Sequence, residues 1–274
     1  MTRPSKSALA AWCLFDWANS AYFTVVVTFI FATYFTEAVA TDPTAGTTQW
    51  GYASSIAGLA IAILAPALGA IADQGRGRKL WAILFSLLCI AATAWLWQVK
   101  PSPDHVPMAL TLVVIATLSA EFAIVFYNAM LPGLVPPERL GRFSGWGWGV
   151  GYLGGLGCLA LALVGFVQTD TPLFGVGKEE AAHIRATAPM VALWYLAFML
   201  PFAALLIGLF LGPVQASSRT WMARHAPEAR RAELFGLMAL SGKATAFLGP
   251  LLLAEVTRAT GSQRWGMATI LLFF

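Results

Sequence analysis

The chain has 274 residues, of which 58% are hydrophobic and only 11% charged, with a mean hydropathy of +0.71. A soluble domain is about a quarter charged, so this composition cannot cover a water-facing surface and excludes an ordinary soluble protein. The net charge of +4 calls for no nucleic acid, because basic excess in an apolar chain collects in cytoplasmic loops.

The chain opens with Arg3 and Lys6 ahead of an apolar run, as a signal peptide would. That run is too long for a leader, and Asp16 and Asn19 interrupt it, so a retained first span is expected. A helix needs about 20 apolar residues to cross the hydrocarbon core. The expected spans are Leu9–Phe35, Trp50–Ala72, Leu80–Trp97, Met108–Leu131, Phe143–Val167, a long stretch from Met190 to about Arg224, and Leu234–Ala254. Trp265–Phe274 opens an eighth and reaches half a crossing. Cys13, Cys89 and Cys158 all lie within the runs and read as small core residues, with no disulfide framework and no metal site. No cofactor is expected.

With the N-terminus inside, the inner segments hold eleven Lys and Arg and the outer ones five. This bias predicts a cytoplasmic N-terminus. The expected architecture is an all-α polytopic membrane protein of about seven spans plus a partial eighth.

An internal repeat runs through the chain. "PPERLGRFSG" (136–145) leads into a span containing "GYLGG", and "APEARRAELFG" (226–236) leads into one containing "AFLGP". Transporters are commonly built from repeated halves, but an offset of about 90 residues leaves room for too few spans between the copies. The Met190–Arg224 stretch would be roughly 52 Å long as one helix, more than a bilayer of roughly 40–45 Å with its headgroups. Two readings stay open. Either one helix, kinked at Pro201 or Gly212-Pro213, runs on into the cytoplasm, or the fronts and backs of two inward-running spans are fused near Ala203–Leu209, with about three helices missing between them.

The loop "GAIADQGRGRK" (69–79) resembles the loop motif of the major facilitator superfamily, although the glycine expected three residues after Asp73 stands one later, at Gly77. By that resemblance Gly69, Asp73, Arg76, Gly77, Arg78 and Lys79 form a cytoplasmic gating loop. "FDWANSAY" (15–22), "FYNAMLPGLVPPERLGRFSGWGWGVGYLGG" (126–155) and "ASSRTWMARHAPEARRAELFGLMALSGKATAFLGPLL" (216–252) are similar to the vacuole-effluxer-like branch, relatives of the fungal vacuolar amino-acid exporter. The resemblance implies a major-facilitator-like helix bundle and secondary transport of small polar solutes such as amino acids by alternating access, in a cell inner membrane. It also implies that the chain is internally deleted and C-terminally truncated. By the resemblance, residues 1–202 would be the N-terminal six-helix half, with spans 1–5 and the start of 6, and 203–274 a remnant of the C-terminal half: the end of the family's helix 10, its helix 11 and the start of its helix 12.

Asp16, Asn19 and Ser20 fall at i, i+3 and i+4 and share one helix face. A charge in the hydrocarbon costs ~2.5–3.5 kcal/mol on insertion scales, so it turns toward a bundle interior or a watery cavity. Glu121 and Asn128, seven residues apart, share a face of the fourth span. Asp16, Asn19, Ser20, Tyr22, Glu121, Tyr127, Asn128 and Lys243 are therefore the expected solute or proton pathway. Asp16 or Glu121 would carry a coupled proton, and Asn19, Tyr127 and Asn128 would bind a polar solute. The competing reading is that these groups only join helices.

"GVGYLG" (149–154) satisfies the dinucleotide pattern, which is valid only between a strand and a helix. Here Gly147, Gly151 and Gly155 repeat every four residues and read as a helix-packing stripe. An intramembrane hydrolase would need HExxH, GxSxG or paired aspartates, and none occurs. An enzyme is not expected, and the remaining alternative is a non-transporting remnant. The oligomeric state is open.

Overall fold

A computed structural model describes residues 6–74, 77–204, 256 and 260, with side chains over 7–70 and 77–204. The chain divides into two compact units, Met1–Gly208 and Leu209–Phe274, and nearly all the described residues belong to the first. The described residues are mostly helical, with no strand among them.

Six helices of this unit are long and apolar enough to cross a membrane. They are α1 (Ser7–Val39), α2 (Pro43–Ala70), α3 (Arg78–Gln98), α4 (Pro103–Leu134), α5 (Pro137–Val167) and α6 (Glu179–Ala204). All six were expected, and all run beyond the apolar windows at one end or both. The largest difference is at α6, which starts eleven residues before Met190, because its first turns carry Glu179, Glu180, His183 and Arg185. Arg185 is buried there: its Nε donates to the Trp97 carbonyl at 2.9 Å, and its guanidinium stacks 4.8 Å from the Trp97 ring. Glu180 faces it at 3.7 Å and holds Lys100 at 3.0 Å. The expected seventh span, the partial eighth and the 203–209 junction lie outside the described residues, apart from Ala203 and Ala204.

α1 is not a uniform α-helix. Tyr22–Phe29 is a π-helical stretch, a second covers Phe35–Val39, and Leu163–Val167 closes α5 in the same way. The Ile30 N–H reaches back five residues to the Val25 carbonyl, and the Thr28 hydroxyl to that of Phe23 at 2.9 Å. A wider turn shifts the faces of the helix, and such stretches recur at functional sites.

α1 lies against α5, α3 against α4, and α2 against α4. The approach of α1 to α5 is close. A Cβ added to Gly147 would sit 2.6 Å from Trp12 Cζ3, and one on Gly151 would sit 2.8 Å from Ser20 Oγ. A Cβ on Gly154 would collide with the Trp17 backbone, and one on Gly155 with the Thr24 hydroxyl. Small residues let membrane helices approach this closely, and here they bring the polar face of α1 to α5. Gly154 completes the edge, which the four-residue spacing of the other three does not reveal.

Gly154→Ala is expected to destabilise the fold by about 1–3 kcal/mol, as overpacking does. Gly149→Ala, where an added Cβ meets nothing within 4 Å, is expected to leave stability unchanged. Thermal unfolding of the two purified variants in detergent, followed by thiol-reactive fluorescence, checks the pair.

Candidate functional site

The polar face of α1 opens on a cavity of about 320 Å³ walled by α1, α4 and α5. Asp16, Asn19 and Ser20 line it from α1, Glu121, Tyr127 and Asn128 from α4, and Ser144, Trp148 and Tyr152 from α5. Helical spacing explains each set. On α5 the three fall at i, i+4 and i+8, and on α4 Glu121 and Asn128 are two turns apart.

The Asp16 carboxyl lies against α5, with its Cγ 3.0 Å from where a Gly151 Cβ would be. Neither Asp16 nor Glu121 accepts a hydrogen bond or forms an ion pair among the described residues. Tyr127 is 2% exposed and clamped between Trp12 and Phe15, at ring distances of 4.4 and 4.7 Å. Trp12 Nε1 also donates to the Tyr127 carbonyl at 3.4 Å. The Tyr127 hydroxyl nevertheless finds no hydrogen-bond partner among the described residues. A buried, unpartnered hydroxyl is costly in a structural site, and here it stands beside a cavity.

Asn19 is 1% exposed, and its Oδ1 accepts from the Tyr195 hydroxyl of helix 187–204 at 2.8 Å. Tyr195 in turn lies 3.1 Å from Ser86 Oγ on α3. This network joins α1, α3 and α6 and occupies the carbonyl end of the Asn19 amide.

Tyr22 stands apart from the other expected pathway residues. It is fully buried and does not line the cavity; its hydroxyl donates to the Val113 carbonyl at 3.1 Å and lies 2.8 Å from Thr117 Oγ1. It ties α1 to α4, as a polar residue joining helices does. In the expected loop, Gly77 precedes α3 and Arg78 donates to the Ala129 carbonyl of α4 at 3.0 Å. Gly69 lies within α2. Arg76, the Asp73 side chain and Lys243 lie outside the described residues. Sequence reasoning missed Tyr195, Trp12, Ser144, Trp148 and Tyr152. The α5 trio carried a readable i, i+4, i+8 signal, whereas Tyr195, 176 residues from Asn19, carried none.

The chain matches the family described as vacuole effluxer Atg22 like over residues 45–207 and again over 202–274. It belongs to that family. Among relatives, it is 31% identical over 196 residues to the uncharacterized MFS-type transporter YxiO of Bacillus subtilis (strain 168), covering 70% of this chain and 44% of YxiO. Among solved structures, the partially occluded inward-open xylose transporter XylE from E. coli shares the fold, with a TM-score of 0.55 at 15% identity, over 90% of this chain and 62% of XylE. The chain therefore spans less than two thirds of the length of either. As a family member with a major-facilitator fold, it is a multi-pass membrane protein.

Tyr195→Phe is expected to loosen the Asn19 network by about 0.6 kcal/mol, the average for an intramembrane hydrogen bond, and by no more than about 1.7. Tyr22→Phe is expected to cost a similar amount. Thermal unfolding in detergent measures both.

Proposed function

We propose that this chain is built for secondary active transport of a small polar solute by alternating access, with the cavity of α1, α4 and α5 as the solute site. The observation that carries the reading is the gathering of Asp16, Asn19, Ser20, Glu121 and Asn128 around one cavity within membrane-spanning helices. Polar groups at membrane depth are expensive and mark solute or ion pathways. Amino acids are the substrate class suggested by the family, efflux is the direction, and Asp16 or Glu121 is the carrier of a coupled proton. The Lys and Arg bias supports a cytoplasmic N-terminus in an inner membrane, with Gly69, Asp73, Arg76, Gly77, Arg78 and Lys79 as the gating loop. No enzymatic role is proposed.

A second reading, a non-transporting remnant, is favoured by one observation: the two family matches meet and overlap at 202–207, where the sequence suggests a junction. In this reading 1–202 is an N-terminal half and 203–274 a remnant of the C-terminal half, containing Lys243. Reading the genomic locus through residues 203–209 decides whether coding sequence is missing there.

Counterflow of labelled amino acids in proteoliposomes tests the transport reading, with this chain and the B. subtilis relative run side by side. Flux is expected, and Asp16→Asn and Glu121→Gln are each expected to lower it about tenfold, or about 1.4 kcal/mol, and to flatten its pH dependence. Flux from the relative alone favours the remnant. Unchanged flux and pH dependence in both variants removes the coupling role.

A further inference from the structure

We propose that the α1–α4–α5 cavity is selective for a small protonated amine, held by Asp16 and Glu121 and covered by aromatic rings. The inference rests on the reading of this cavity as a solute site and names what the site takes.

Charge is the deciding property. Two carboxyl side chains line one cavity of about 320 Å³, and no lysine, arginine or histidine lines it with them among the described residues. Neither carboxylate has a hydrogen-bond donor or cation of its own there. Partly buried carboxylates are stable when something positive satisfies them. An anionic solute would meet repulsion from both groups, whereas an ammonium group supplies three N–H donors and one positive charge.

The rest of the lining suits the same ligand. Trp12, Phe23, Tyr127, Trp148 and Tyr152 all contribute, and the Trp148 and Tyr152 rings lie 5.9 Å apart. A cation within about 6 Å of an aromatic face is attracted by the ring quadrupole, most strongly over Trp. The buried Tyr127 hydroxyl, which no group among the described residues satisfies, offers an oxygen that accepts an N–H. The volume suits a solute the size of an arylalkylamine, at the lower end of the roughly 300–1,000 Å³ of ligand pockets.

Equilibrium binding of labelled phenethylamine to the purified full chain in nanodiscs tests this, with phenethyl alcohol and phenylacetate as probes of the same ring and similar size but different charge. Saturable binding of the amine is expected at concentrations at least tenfold below those at which the alcohol or the acid competes. Asp16→Asn and Glu121→Gln are each expected to weaken it at least tenfold. The charge series on the unaltered chain stands even where a variant fails to fold. Equal competition by all three probes, preference for the acid, or binding unchanged in both folded variants overturns the proposal. Amine binding without flux of any solute supports the amine site and removes the transport reading. Amino-acid flux that phenethylamine does not inhibit leaves transport standing and overturns the amine site.

Discussion

The approach of α1 to α5 sets where every polar side chain of α1 can go. Gly147, Gly151, Gly154 and Gly155 remove the Cβ atoms that would hold the two helices apart. With α1 seated on that edge, Asp16 and Ser20 stand at the α5 wall, while Asn19 turns to the Tyr195 hydroxyl and the cavity. Lipid gives little hydrophobic reason for two apolar helices to associate, so close van der Waals packing has to supply it. Enlarging one glycine would move the carboxyl of Asp16 as well as weaken the contact. Packing and site geometry are therefore one constraint on this pair of helices.

Around that pair, two kinds of polar residue divide the work. Tyr22, Tyr34 and Arg185 are anchored to backbone carbonyls of neighbouring spans or of the segments that join them, at Val113, Val99 and Trp97. They join helices. Among the described residues Asp16, Glu121 and the Tyr127 hydroxyl have no such anchors, and they face a cavity. In hydrocarbon an unanchored polar group is the informative one, because the cost of placing it there is not recovered by the fold. The π-helical turn that begins at Tyr22 separates the two behaviours along α1, with the polar cavity residues Asp16, Asn19 and Ser20 before it and the helix-joining tyrosines at and beyond it.

Much of this was legible in the sequence. Apolar run length gave all six described spans, because the bilayer imposes a minimum length that composition reveals directly. Ends were less readable: α6 begins among Glu179, Glu180, His183 and Arg185, which hydropathy assigns to a loop until the Trp97 carbonyl and ring are seen to receive the arginine. Helical spacing placed Asp16, Asn19 and Ser20 on one face and Glu121 with Asn128 on another, and all five line one cavity. Spacing could not separate Tyr22 from them, since a two-residue step from Ser20 leads onto the neighbouring α4 contact and the π turn shifts the face further. Nor could it find Tyr195, whose role depends on α6 folding back beside α1 and α3.

The central claim is that water and solute reach the polar face of α1, and thiol accessibility tests it most directly. With Cys13, Cys89 and Cys158 replaced, a single cysteine is placed at Ser20 or at Ser144, both of which line the cavity, or at Ala18, which is fully buried. Each variant in proteoliposomes is then exposed to a charged methanethiosulfonate reagent. Rapid modification of Ser20→Cys and Ser144→Cys is predicted, and none of Ala18→Cys. Cysteines at 20 and 144 as unreactive as the one at 18 would contradict the claim, leaving the polar face as a dry helix contact.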